Sequence, residues 1–369
     1  MSEIEDSAAL PETDTTATTA TAPEELPPVQ PPSAGFIMQL FLIPAIIVAA
    51  VIGVWVLFGR MAGAEQDWRQ LVQDLGSQNE HRRWRAASGL AHLLNADAKR
   101  HEEQIKNMSP EFAKATGVSE AISLAKNPEV GRELVKLFDS QLDSRSTRDK
   151  DITHQQFLAR TLGSLDLPNT VLPSLQRATA AEYHEKVRTS ALSSIALVVS
   201  RASDRGEEVN STDLVEALIE SSGDENKLIR QYSAYALGLL PTKKSMEHLG
   251  VMLSDADEKT RVNAAIAMAR HDRADGFDVF ADVLVDCLHK PTPAELSKLK
   301  DTDRIAALNR YQIEQPLMLK NAIRAIKNLT PKLNAKQKAT AAKNLQPIAA
   351  EYELKELRKD AELLIEALQ

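Results

Sequence analysis

Between residues 65 and 333 the apolar positions recur with the period of a helix, and they come as paired short stretches rather than as long runs. The segment 223–241, GDENKLIRQYSAYALGLLP, sets the register. Taking Arg230 as a mark, Ser233-Ala234 follow at three and four residues and Leu237-Gly238 at seven and eight. The same offsets recur after Arg83 (Ala86-Ala87, Leu90-Ala91), Gln155 (Leu158-Ala159, Leu162-Gly163), Arg188 (Ala191-Leu192, Ile195-Ala196) and Arg261 (Ala264-Ala265, Met268-Ala269). A fainter copy follows Leu319 (Ala322-Ile323, Ile326-Lys327). This is one helical stripe, with small residues where a second helix comes close.

Each copy is preceded by a second amphipathic stretch: Leu71, Val72 and Leu75; Leu134, Leu137, Phe138 and Leu142; Val171, Leu172 and Leu175; Leu214, Leu218 and Ile219; Leu249, Met252 and Leu253. The unit is therefore helix, acidic turn, helix. The marks lie 72, 33, 42, 31 and 58 residues apart. Spacings of 31–42 suit a helical-hairpin solenoid. The gap of 72 predicts a degenerate repeat around 99–126, and the gap of 58 an insertion near 287–316. Residues 334–369 read as capping helices, with Leu357, Leu364, Ile365 and Leu368 among many charges. Thr292-Pro-Ala-Glu295, Asn334 with Gln337, Ser109-Pro110 and Asn127-Pro128 look like helix starts.

An acid stands six residues before the mark three times: Glu182 before Arg188, Asp224 before Arg230, and Asp255 before Arg261. Placed in the turn, it can cap the second helix. The arginine can fork onto that acid or onto the acid of the next repeat, giving a structural ladder. This pattern resembles the HEAT-repeat family, particularly the bacterial phycobilisome-lyase HEAT-like repeats of the membrane-anchored type. The resemblance implies an all-α solenoid acting as a binding scaffold. It departs at Gln155, where the arginine is missing, and at Ser77 and Asp149, which lack the acid–Arg partner.

The chain opens differently. Residues 1–35 carry seven acids and no Lys or Arg, among Pro and Thr. Such a segment cannot bury enough to offset its ordering entropy, so a disordered tail is expected. Pro28-Val-Gln-Pro31 fits a PxxP ligand, with a spacer as the plainer reading. Phe36–Phe58 is an uncharged run of 23 residues, which predicts one transmembrane helix. A junction follows at 59–64. With Arg60, Arg69, Arg82, Arg83 and Arg85 just after the run, the positive-inside rule predicts a single-pass cell-membrane protein. Its N-terminus would lie outside and its C-terminal domain in the cytoplasm.

Composition narrows the chemistry. The 369 residues hold 14 glycines and 4 % aromatics, a helix former's mixture, and one cysteine, which excludes an intramolecular disulfide and a Cys-cluster metal site. The net charge is −8, and the acidic tail accounts for nearly all of it. A nucleic-acid partner is not expected, since a binding domain would carry a basic excess. No P-loop, GxSxG or HExxH motif is present. Deoxyhypusine hydroxylase resembles this architecture and holds a di-iron centre through His-Glu pairs after the register mark. Here those slots hold Trp84-Arg85, Gln156-Phe157, Thr189-Ser190, Gln231-Tyr232 and Val262-Asn263. His101-Glu102 and His184-Glu185 fall outside them. Cys287 and His289 sit two residues apart and point to different helix faces. No catalytic residue, metal or cofactor is expected. The rival class, implied by the resemblance alone, is a chromophore-lyase-like or other ligand-handling enzyme using the solenoid groove.

The charge is uneven at one place: 316–350 holds seven basic residues and no acid. Lys320, Arg324, Lys327, Lys336, Lys338 and Lys343 are the candidate contacts for a protein partner or for anionic lipid headgroups. The plainer reading is a solvated face balanced by the acids after Glu351.

Overall fold

The structure is a computed structural model; residues 67–107 and 123–369 are described, together with Leu42, Ile46 and 48–52. The chain divides into 1–65 and 66–369. The described part of the second unit is built of α-helices in hairpins. Their first helices are α1 (Trp68–Leu75), α3 (Pro128–Asp143), α5 (Pro168–Arg177), α7 (Thr212–Ser221), α9 (Lys243–Met252) and α11 (Phe277–Asp286). Their second helices are α2 (Glu80–Asn107), α4 (Asp149–Ser164), α6 (Glu185–Asp204), α8 (Lys227–Leu237) and α10 (Glu258–Ala269). The sixth hairpin closes through an insertion of two short helices, α12 (Pro293–Ser297) and α13 (Asp301–Asn309), before α14 (Gln315–Leu329). A last hairpin, α15 (Ala335–Glu351) and α16 (Lys355–Leu368), ends the array.

Two layers result. The second helices pack in series, α4 on α6, α6 on α8, α8 on α10, α10 on α14 and α14 on α16. First helices stack beside them, α1 on α3, α3 on α5, α5 on α7, α7 on α9, and α11 on α15. This is the all-α solenoid of hairpins that the repeat spacing predicts. The apolar positions of the first helices are inside: Leu75, Leu134, Phe138, Leu142, Val171, Leu175, Leu218 and Leu249 have no more than trace exposure.

Local chemistry starts the helices where expected. Asn127 accepts from the amides of Glu129 and Val130, with Pro128 in the first turn. Thr292–Glu295 and Asn334–Gln337 are reciprocal capping boxes. Close helix contact is reserved for small residues. A Cβ on Gly238 would sit 2.3 Å from the Cβ of Ala267, and one on Gly163 2.5 Å from the Ser194 hydroxyl.

Three expectations change. The gap of 72 residues opens with one long helix: α2 runs 28 residues, through the start of the proposed degenerate repeat, and α3 begins at Pro128. Residues 108–122, with the helix start at Ser109-Pro110, lie outside the described residues. The second change concerns the membrane span. A spanning helix needs an unbroken apolar run of about 20 residues. Among the described residues no helix is long and apolar enough to cross a membrane. In the run Phe36–Phe58 the described helical residues are Leu42, Ile46 and 48–52; the rest of that run, the acidic tail and the junction lie outside them. The transmembrane assignment is corrected accordingly. With it go the single-pass cell-membrane placement and the orientation with the N-terminus outside and the C-terminal domain cytoplasmic. Third, the acids at 224 and 255 do not cap. Asn226 and Asp257 are the caps of α8 and α10, and Asp224 and Asp255 accept from the amides of those two residues at 2.7 Å, shaping the turn.

Candidate functional site: the ladder and the outer row of second helices

The arginine marks emerge one turn into each second helix, beside the turn that precedes it. Arg230 spans both. Its Nη1 donates to the carbonyls of Asp224 and Glu225 in its own turn, at 2.9 and 3.0 Å. Its Nε and Nη2 grip both oxygens of Asp255 in the next turn, at 2.9 and 3.1 Å. Arg188 repeats this: Nε donates to the Thr179 carbonyl at 3.0 Å and Nη2 to Asp224. So the arginine reads its own turn through the backbone and the next repeat through the carboxylate. Both partners are largely covered, which keeps the pair out of bulk solvent.

The ladder is shorter than the register. Gln155 keeps only the backbone half of the contact, donating to the Gln141 carbonyl at 2.8 Å. Glu182 is not a rung: it is exposed and pairs with Arg145 at 2.9 Å. Arg261 reaches the carbonyls of Asp255 and Ala256, in its own turn, at 2.9 and 3.2 Å. At the first joint a pair forms all the same. Arg83 lies 3.4 Å from Asp151, a buried acid that also accepts from Ser146 and Arg148. Burial opposes its ionisation, but the Ser146 and Arg148 hydrogen bonds and the charges of Arg148 and Arg83 outweigh it and hold the carboxyl below its usual range. His154, one turn on, is buried with an unpartnered Nε2. Burial first, then the Arg83 charge, pull it down to about 4, against the pull of Asp151.

The six basic candidates are divided between two helices of opposite layers. Lys320, Arg324 and Lys327 fall on one face of α14, and Lys336, Lys338 and Lys343 lie on α15. Lys320 is neutralised by Glu356 at 2.8 Å, as the plainer reading predicts. Arg324, Lys327, Lys336 and Lys343 are exposed.

The histidine and cysteine candidates take structural roles. His184 caps α6 by accepting from the Lys186 amide at 3.2 Å, and Glu185 accepts from Asn226 at 2.7 Å. Cys287 is buried, donates to the Gln315 carbonyl at 3.4 Å, and its thiol is pushed up to about 12, chiefly by burial. That leaves no thiolate to act as nucleophile. His289 is exposed, 4.0 Å from Glu295. One pair escaped sequence reasoning: Ser222 lies 2.5 Å from Nε2 of His248. The hydroxyl donates to the Ile219 carbonyl at 2.6 Å, so it receives a hydrogen from the ring rather than giving one up. The pair ties α7 to α9. Among the described residues no cluster of His, Cys, Asp and Glu could hold a metal ion.

The outer faces of the second helices are uneven. On α8 the exposed and half-exposed apolar and aromatic positions are Leu228, Tyr232 and Tyr235, continued by Leu239 just past its end. The sequence spells this row at spacings of four, three and four, but it offers a second, equally helical stripe through Ile229, Ser233 and Leu237, which is the buried one.

No protein-family model and no curated protein sequence matches this chain. Solved structures similar to it include YibA of Escherichia coli, at 15 % identity over 84 % of this chain and 96 % of that one, with a TM-score of 0.35. Human deoxyhypusine hydroxylase in complex with glycerol is similar at 14 % identity, over 84 % and 98 % of the two chains, with a TM-score of 0.28. Importin beta is similar at 13 %, over 91 % of this chain and 50 % of its own, with a TM-score of 0.34. At these scores the likeness carries no argument, and the repeat architecture rests on this chain's own helix order and ion pairs.

Proposed function

We propose that the chain is a non-catalytic scaffold that binds a protein partner along its stacked hairpins. The observation that supports this is the arginine–aspartate ladder. Its two linked rungs fix the rotation of the hairpins from α6 to α10 and so hold those second helices as one firm surface. A rigid extended face loses little conformational freedom on binding, which favours recognition of another macromolecule over many repeats. The basic residues of α14 are the contacts assigned to that partner: Arg324 and Lys327, which form no ion pair among the described residues, before Lys320, which Glu356 already neutralises.

The test is chemical cross-linking in a lysate of the cells that make the protein, capture of the full-length chain and mass spectrometry. A parallel capture uses Arg324→Glu with Lys327→Glu. One dominant protein, lost from the variant sample, is the expected result. If no protein is enriched and the purified chain carries a pigment or a metal, the scaffold reading falls and a ligand-handling enzyme takes its place.

A further inference from the structure

The register that builds the ladder also aligns the outer faces of neighbouring second helices. Five residues after the mark stand Ser193 on α6, Tyr235 on α8, Ile266 on α10 and Arg324 on α14. Nine residues after it stand Leu197, Leu239 and Arg270. Because α6, α8, α10 and α14 pack in that order, these rows run across the stack. Tyr235, Leu197 and Leu239 make the α6–α8 end mainly apolar, with Ser193 among them, while Arg270 and Arg324 bring positive charge to the α10–α14 end, beside Ile266.

Leu197 is 53 % exposed, Leu228 46 % and Tyr232 36 %. The basic end is unspent. Arg270 and Arg324 are both exposed, and neither forms an ion pair among the described residues. Arg270 sits over the Tyr235 ring at 5.0 Å, which joins the two ends physically. The face is also held in place. Gln231 donates to Asp257 at 2.7 Å, and Asn263 donates to the Gln231 carbonyl at 3.0 Å, pinning α8 to α10. Tyrosine and arginine on a rigid support are the side chains that dominate binding energy at protein interfaces.

We propose that this face binds an acidic segment of a partner protein that carries large apolar side chains among its carboxylates. The apolar anchors lie on Leu197, Tyr232 and Tyr235, and the carboxylates reach Arg270 and Arg324. A purely anionic ligand would leave the tyrosine row uncovered, and a purely apolar one would bury Arg270 without a counter-charge. The inference rests on the scaffold reading and names the chemistry of its partner.

The experiment uses the full-length chain and fluorescence anisotropy with a labelled random copolymer of glutamate and tyrosine, set against polyglutamate of equal length. The copolymer is expected to bind about tenfold tighter than polyglutamate, the usual worth of an aromatic anchor. Leu197→Ser with Tyr232→Ser should remove that advantage. Arg270→Glu with Arg324→Glu should weaken both polymers about tenfold and flatten the salt dependence. Far-ultraviolet circular dichroism confirms that each variant is folded; all four positions are outside the core. Equal binding of the two polymers, no binding of either, or binding unchanged in both variants overturns the inference. If the cross-linked partner is still captured by both double variants, this face is wrong while the scaffold reading survives. If no partner is captured at all, both fall.

Discussion

Arg230 is where single side chains matter most. It satisfies two carbonyls of one turn and both oxygens of a carboxylate in the next, so its removal leaves partly buried acceptors without a donor. Arg230→Ala should lower unfolding free energy by about 2–4 kcal/mol. Arg230→Lys should lose about half of that, because an ammonium cannot fork. Urea denaturation of the full chain measures both, and a loss no larger than that of the exposed Arg145→Ala would show that the rung is idle. The spacing of acid and arginine was readable in the sequence, but which acid each arginine would choose was not. That depends on the rotation between neighbouring hairpins, and six residues along one chain say nothing about it. His154 was missed altogether, because a histidine at a helix-period position reads like any polar residue. Its sign can be worked out. Its folded pKa lies near 4, below the usual 6.5, so between these values the unfolded chain binds the extra proton. Stability should therefore fall as pH drops from about 6.5 to about 4, by no more than about 3 kcal/mol from this group. Asp151, whose carboxyl is also held low, adds a loss of the same sign below its ordinary range. His154→Gln should flatten the upper part of the profile, seen as urea midpoints at pH 7, 5.5 and 4.5. A parallel, undiminished slope in the variant would assign the dependence elsewhere.

For whole helices, the small residues were the most informative signal and the large ones the most ambiguous. Helix α8 offers two apolar stripes, and only packing decides between them. The Ile229–Ser233–Leu237 stripe goes inside, and Gly238 beside it lets α10 approach, which a bulkier residue would prevent. The same geometry predicts opposite effects for one substitution at two glycines. Gly238→Ala places a methyl 2.3 Å from the Ala267 Cβ and should cost about 1–3 kcal/mol, forcing α8 and α10 apart. Gly250, in α9, has nothing within 4 Å of an added Cβ. Gly250→Ala should therefore stabilise by about 0.5–1 kcal/mol through helix propensity alone. Thermal melts of the two variants decide the matter, and stabilisation by both would mean that the α8–α10 contact is looser than the distances indicate. The insertion was legible as an interruption of spacing. Its first short helix was announced by the capping box Thr292–Glu295, but the second helix and the π turn at Arg310–Glu314 were not, since so few of their residues are buried that no periodic stripe marks them.

Across the whole array, repeat spacing told the architecture while hydropathy over-read the start of the chain. A 23-residue apolar run satisfies the length of a span, but length is a necessary condition only. The ladder and the core then divide the solenoid at one helix. Buried residues from Trp68 to Met268 form one apolar cluster, and those from Val262 to Leu368 form a second. Helix α10 belongs to both: Ala264, Ala267 and Met268 face the first, while Val262, Ala265 and Ala269 face the second. Among the described residues the ladder rungs, at Arg83, Arg188 and Arg230, lie on the first side. Across α10 the ion pairs are Arg310 with Glu258 and Lys259 with Glu314, both more open to solvent and so screened. In a stack where each hairpin touches only its neighbours, cooperativity breaks at the weakest joint. The amides of α11, α14, α15 and α16 should therefore exchange with solvent as one group. Their opening free energy should be lower than that shared by α4, α6 and α8. Hydrogen exchange followed by mass spectrometry resolves the two groups directly. Raising the salt should widen the gap between them, since it screens the exposed pairs at α10 more than the covered rungs. A single uniform opening energy from α4 to α16 would place the two clusters in one cooperative unit and deny α10 its role as the boundary.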